Sequence, residues 1–139
     1  GAMSSMMQTA QAFFEACETG QGWAACRAHC TPDASFSAQA EPLAKVTTLE
    51  GYTDWMKGIV AVLTDAHYDL KSFAVDEARQ NVSAFATFIG THLAGGPMPP
   101  TGRTTRTDYV YVMQFRDGRI AHMTKIWNSG YALKELGWA

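Results

Sequence analysis

The chain has 139 residues, a formal charge of −2 and 47% hydrophobic residues. That length and hydrophobicity suit one domain with its own core and argue against a disordered chain. Charges of both signs are scattered without a basic stripe, so a nucleic-acid partner has no support. No apolar run is long enough to cross a bilayer.

Gly1-Ala2-Met3 reads as a cloning scar, and no secretory leader pattern is visible. A single domain over residues 1–139, soluble and cytoplasmic, is expected. The 3 cysteines, Cys17, Cys26 and Cys30, are an odd number, which argues against a complete disulfide framework. His29 lies between Cys26 and Cys30, but there is no CxxC and no second ligand pair. No metal site is expected, and the cysteines read as small buried apolar residues.

Ser5-Met6-Met7-Gln8 has the form of a capping box. Behind it Met6, Met7, Ala10, Phe13, Phe14 and Cys17 recur at helical spacing until Gly20. A second helix is predicted from Trp23 to Cys30, stopped by Thr31-Pro32, and a strand from Asp33. Thr47-Thr48-Leu49-Glu50 is another capping box. The apolar stripe after it (Leu49, Tyr52, Trp55, Met56, Ile59, Val60, Leu63) predicts a helix lying across a sheet. From Tyr68 the period becomes two. Strands are predicted over Tyr68–Val75, Val82–Leu93, Thr104–Phe115 and Ile120–Asn128, with a Gly/Pro-rich loop over residues 95–102. Helices, a strand, a helix and then four strands indicate an α+β fold.

Arg116-Asp117-Gly118 fits a three-residue hairpin loop with Gly118 in a bulge, which would pair Phe115 with Arg119 and Val112 with His122. One face of the hairpin then carries Arg106, Asp108, Val110, Val112, Ile120, His122, Ile126 and Asn128. The other carries Tyr109, Tyr111, Met113, Phe115, Met123, Lys125 and Trp127. The first face, apolar but holding Asp, His and Asn, reads as a pocket wall. The aromatic face reads as an exposed patch through which a homodimer forms. Its alternative cover is the chain's own tail, Tyr131 to Trp138.

Five segments carry a resemblance: Pro32-Asp33-Ala34-Ser35-Phe36, Gly90-Thr91-His92, Pro99-Pro100-Thr101-Gly102-Arg103, Phe115-Arg116-Asp117-Gly118-Arg119-Ile120 and Leu133-Lys134-Glu135-Leu136-Gly137. In order and spacing they resemble the SnoaL-like polyketide cyclase branch of the nuclear transport factor 2-like superfamily. The resemblance implies a curved antiparallel sheet wrapped on N-terminal helices around a conical pocket, a cystatin-like α+β barrel. It also implies dimerisation through the sheet.

Asp108 and His122 are the leading catalytic candidates, because a carboxylate and an imidazole on an apolar wall need a reason to be there and His exchanges protons near neutrality. SnoaL-like cyclases use a His and an Asp from these two strands, fourteen residues apart. Here the spacing is kept and the order is reversed. Tyr52, Trp55, Met56, His92, Arg106, Val110, Val112 and Asn128 are expected to bind substrate. Limonene-epoxide-hydrolase-like members use an Arg and an Asp spaced as Arg106 and Asp108 with a second Asp, but Ile126 and Asn128 stand where that carboxylate is needed. The base position of the ketosteroid isomerase branch falls on Ala38.

No phosphate loop, dinucleotide fingerprint, nucleophile elbow or zinc motif is present, so no cofactor is expected. The functional expectation is a cofactor-free cyclase or isomerase moving protons on a small, mostly apolar carbonyl compound. The alternatives are a non-catalytic small-molecule-binding or accessory protein and, third, an epoxide-hydrolase-like addition of water.

Overall fold

Ser4, one residue before the expected box, starts the first helix, its Oγ accepting the Met7 N–H at 3.1 Å. The structure, a computed structural model, describes residues 4–139; the expected cloning scar lies outside the described residues. Helix α1 (Ser5–Glu18) buries Ala10, Phe13, Phe14, Cys17 and Glu18. Helix α2 (Gly22–Cys26) is shorter than expected, because a 3-10 turn (Arg27–His29) follows and Cys30 is already extended.

Strand β1 (Cys30–Ala38) therefore contains Thr31-Pro32 rather than following it. The proline is tolerated because β1 is an edge strand whose ladder is interrupted between Cys30 and Ser35. Thr48 caps α3 (Leu49–Val62), accepting the Gly51 N–H at 3.0 Å. Strands β2 (His67–Asp76), β3 (Asn81–Thr91), β4 (Thr104–Arg116) and β5 (Arg119–Trp127) follow, and then helix α4 (Ser129–Leu136). The sheet order is β1-β5-β4-β3-β2, with β1 parallel to β5 and the other pairs antiparallel. The fold is α+β, as expected. All three cysteines are free and buried.

The β4–β5 hairpin differs from expectation in two ways that nearly cancel. Its loop has two residues, Asp117 and Gly118, both with positive φ (53° and 80°), the geometry an Asp-Gly hairpin turn favours. Arg116 thus pairs with Arg119, which alone would put Asp108 and His122 on opposite faces. A bulge between Gln114 and Phe115 restores the parity: Gln114 pairs with His122, Val112 with Thr124 and Val110 with Ile126. Asp108, Val110, Val112 and His122 do share a face, with partners displaced by two residues.

That face is the outer one, and this corrects the expected pocket wall. Tyr109, Tyr111, Met113, Met123 and Lys125 are buried, whereas Asp108 is exposed and Ile126 is 61% exposed. The reason lies in the helices. Phe14 of α1 packs edge-on to Tyr111 and parallel to Tyr109, and Tyr52 of α3 stacks on Phe36 at 4.4 Å. Each such ring buries enough apolar surface to contribute about 2–3 kcal/mol, so the aromatic face is drawn onto α1 and α3. It is interior, and not the dimer surface it was expected to be.

Helix α4 was expected only as a tail. Asn128 Oδ1 accepts the Tyr131 N–H at 3.1 Å, Ala132 and Leu136 are buried, and Gly137 ends the helix at φ 76°. The helix folds back against β4 and completes the cover over the inner face.

Candidate active site

Two charged side chains stand in phase with the apolar stripes of their elements. Glu18 falls four residues after Phe14 on the buried side of α1, and Lys125 alternates with Met123 and Trp127 on the inner face of β5. Both are buried, at 3% and 6% exposure. Tyr109 Oη donates to Glu18 Oε2 at 2.5 Å, and Tyr111 Oη donates to Glu18 Oε1. With its hydrogen committed there, the Tyr111 hydroxyl receives from Tyr52, and the Tyr52 oxygen receives from Lys125 Nζ at 3.0 Å. A directed chain therefore runs Lys125, Tyr52, Tyr111, Glu18. Among the described residues no ion pair within 4.0 Å involves either end.

Burial pushes the Glu18 carboxyl above the usual range, against the two tyrosine hydrogen bonds and the Lys125 charge, which pull it down. Burial pushes the Lys125 ammonium down to about 8, opposed by Glu18. Five aromatic rings surround Nζ, from Trp127 at 4.1 Å to Tyr111 at 5.9 Å. They offer a cation some compensation for lost water. The phenols of Tyr52, Tyr109 and Tyr111 are raised by burial.

Glu18, Tyr109 and Lys125 line a cavity of about 530 Å³. Its walls are Trp55, Met56 and Ile59 of α3, Phe88 of β3, Thr105 and Thr107 of β4, Trp127 of β5, and Leu133 and Leu136 of α4. Trp138, Gly96 and Pro97 also line it, and the buried His92 ties them together. Its Nδ1 accepts from Trp138 Nε1 at 3.0 Å and from the Thr101 N–H at 3.1 Å, so Nε2 carries the hydrogen and donates to the Gly95 carbonyl. His92→Ala is expected to release the tail after Leu136 and to cost about 3 kcal/mol, from a cavity plus orphaned polar groups. Hydrogen exchange should show α4 amides losing protection before those of β3 and β4. Unchanged protection of α4 would sink the latch.

The sequence profile of the SnoaL-like domain matches residues 10–123. The chain belongs to the SnoaL-like family. Solved structures share the fold of this SnoaL-like protein. AclR from Streptomyces galilaeus, provisionally assigned as a hydroxylase, has a TM-score of 0.78 at 19% identity, covering 99% of this chain and 88% of that one. IdmH from Streptomyces antibioticus, provisionally assigned as a polyketide cyclase, has 0.77 at 21% identity, covering 96% and 99%. TerC, co-crystallised with polyporic acid, has 0.72 at 18% identity, covering 96% and 99%. At such identities the likeness is one of fold. No curated protein matches the sequence.

Of the residues expected to form the site in this SnoaL-like domain, Trp55 and Met56 line the cavity, and Tyr52 stands behind Lys125 in the hydrogen-bonded chain. His92 lies at the rim as a latch. His122 and Asp108 are on the outer face and are not brought together. His122 contacts Ser35 Oγ through Nδ1 at 2.7 Å and Ser37 Oγ through Nε2 at 3.0 Å, while Asp108 accepts from Thr87 Oγ1 at 2.8 Å. Gln114, not Val112, faces His122. Asp108 is thus six residues from that position, about 20 Å along the strand. Arg106, Val110, Val112 and Asn128 also lie away from the cavity, Arg106 giving its backbone N–H to Glu135 and Asn128 capping α4. The groups that were missed are Glu18, Tyr109, Tyr111 and Lys125. The available signal was a lone charge in phase with an apolar stripe on two separate elements.

Among the described residues no helix is long and apolar enough to cross a membrane, and no cluster of three or more His, Cys, Asp and Glu could hold a metal ion.

Proposed function

We propose that this SnoaL-like protein catalyses a cyclisation or isomerisation by proton transfer beside the carbonyl of a small, mostly apolar compound. One observation carries the reading: a buried carboxylate and a buried amine face the same apolar cavity and are joined behind it by two tyrosine hydroxyls. Glu18 takes the proton from the carbon next to the carbonyl. Lys125 donates to the carbonyl oxygen as negative charge develops there. The chain then resets the pair: the Tyr52 and Tyr111 hydroxyls turn to donate toward Lys125, after which Glu18 passes a proton to Tyr111, Tyr111 passes one to Tyr52, and Tyr52 passes one to Lys125. The cavity volume is in the range of small-molecule sites, and its walls select a carbon skeleton. The co-crystal of TerC with polyporic acid is in keeping with a small organic ligand.

Proton NMR in deuterium oxide tests this with 2-tetralone and related bicyclic ketones, by following exchange of the hydrogens next to the carbonyl. The protein should accelerate exchange well above buffer. His122→Gln should stay within about twofold of the native rate, because it alters the opposite face of the sheet, whereas an acid–base group contributes about a hundredfold or more. Binding of such ketones without acceleration would establish the non-catalytic alternative. Self-association belongs to the same proposal only through the outer face, where Phe85, Val110 and Ile126 align across β3, β4 and β5.

A further inference from the structure

We infer that Lys125 is a nucleophile: its amine adds to the carbonyl carbon of a ketone or aldehyde in the cavity and forms an imine, with Glu18 as the acid that releases water. The inference rests on the proton-transfer reading and narrows its substrate to compounds with a free keto or aldehyde group. Three observations support it. Lys125 is buried with a neutral hydroxyl rather than a carboxylate against its Nζ. The side chain lines the apolar cavity, so a bound carbonyl meets it out of bulk water. The Tyr52–Tyr111 chain lets the pair pass from ammonium and carboxylate to amine and carboxylic acid by moving three hydrogens along existing hydrogen bonds. That second state is the reagent pair imine formation needs. Burial pushes the ammonium down to about 8, so neutral amine is accessible near neutrality.

The steps balance. The amine lone pair attacks the carbonyl carbon, and the C=O π pair moves to oxygen. One amine hydrogen moves to that oxygen and gives a carbinolamine. Glu18 supplies a second proton, the C–O bond breaks, water leaves, and the nitrogen lone pair closes the C=N bond. The products are an iminium ion, one water and the Glu18 carboxylate. The iminium acidifies the neighbouring C–H, which the carboxylate then deprotonates to an enamine, a carbon nucleophile suited to ring closure. Addition of water reverses the sequence and frees the amine.

Of the 5 lysines, Lys45, Lys57, Lys71 and Lys134 are exposed, so the site of modification identifies the reaction. The native protein is incubated with 2-tetralone and sodium borohydride, digested and analysed by mass spectrometry. The peptide holding Lys125 should gain the mass of the ketone less one oxygen atom, and the same peptide of Lys125→Met should gain nothing. Lys125→Arg keeps the charge but forms no imine, and should lower deuterium exchange about a hundredfold, with thermal melts confirming that it is folded. An unmodified Lys125 peptide, or adducts confined to the exposed lysines, would overturn the inference. So would full exchange activity in folded Lys125→Arg. Each of these results leaves the proton-transfer reading standing where the native protein accelerates exchange. An adduct on Lys125 without accelerated exchange would remove that reading and keep the imine. Should Lys125→Arg not fold, the adduct site in the native protein decides.

Discussion

Glu18→Gln is expected to slow deuterium exchange into a bound ketone by a factor of about 10²–10⁴, the usual contribution of a positioned general base, with ligand affinity within a few-fold of native. The substitution isolates the proton acceptor. Gln has nearly the shape of Glu, its carbonyl oxygen can accept one tyrosine hydrogen, and its amide can donate to the other tyrosine oxygen. The Tyr109 and Tyr111 contacts with this position are therefore kept in altered polarity. Stability should change little, because the amide has no charge to desolvate, and that gain is offset by the favourable charge Lys125 loses. Glu18→Ala is a different experiment. It orphans both tyrosine hydroxyls and opens a void, and should cost about 2–4 kcal/mol. The decisive measurement is the exchange rate of Glu18→Gln at saturating ketone, beside a titration for affinity. A rate within about threefold of native would sink Glu18 as the base.

Lys125→Met should stabilise the fold while removing its chemistry. Lys125 titrates near 8 when folded, against an ordinary 10.5. Between these values the unfolded chain holds the proton and the folded chain does not, so native stability rises with pH through that window. Below about pH 8 both states are charged and the penalty is complete. At about 1.4 kcal/mol per unit it amounts to about 3 kcal/mol. Methionine fills most of the same space with no charge to bury. Part of the gain is offset, because Glu18 loses a favourable charge and Tyr52 a hydrogen-bond donor. A net gain of about 2 kcal/mol near neutrality follows, or a Tm higher by roughly 6 °C for a domain of this size. The advantage should shrink as pH approaches 10.5. Melting curves across that range, run with the exchange assay, check both halves. A variant less stable than native at pH 7 would contradict the account of Lys125 as a destabilising buried charge.

The elements were largely legible because their signals are local. Capping residues mark α1 and α3 within one position, the switch from a helical to a two-residue period marks β2 onward, and the five family-like segments pointed to the right fold. The inner face was not legible. Val110, Val112 and Ile126 make one side of the hairpin look as apolar as the side with Tyr109 and Tyr111, and alternation alone cannot tell which side meets α1 and α3. The choice depends on ring volume packed against Phe14 and Phe36, which is a tertiary matter. His122 drew attention because imidazole is the usual proton carrier, yet Ser35 and Ser37 of the parallel neighbour β1 hold it on the outside. Trp55, Met56 and the rim position of His92 were readable, since a long helix across a sheet and a strand end before a Gly/Pro loop must border any cavity there. Helix α4 went unread because only eight residues carry its pattern.

The bulge between Gln114 and Phe115 gives the length of this hairpin a chemical meaning. Ala121 is the unpaired extra residue between Ile120 and His122. Were it drawn into the ladder opposite Gln114, the register of the two-residue turn would run on without interruption. Met113 would then meet His122, Tyr111 would meet Thr124, and every side chain of β5 beyond Ala121 would change sides. Lys125 would turn outward and an imidazole would enter the cavity in its place. The bulge alone thus decides between an amine-based pocket and an imidazole-based one, with no residue altered. A register step, and not only a substitution, is a route by which relatives of this fold can change the chemistry they carry.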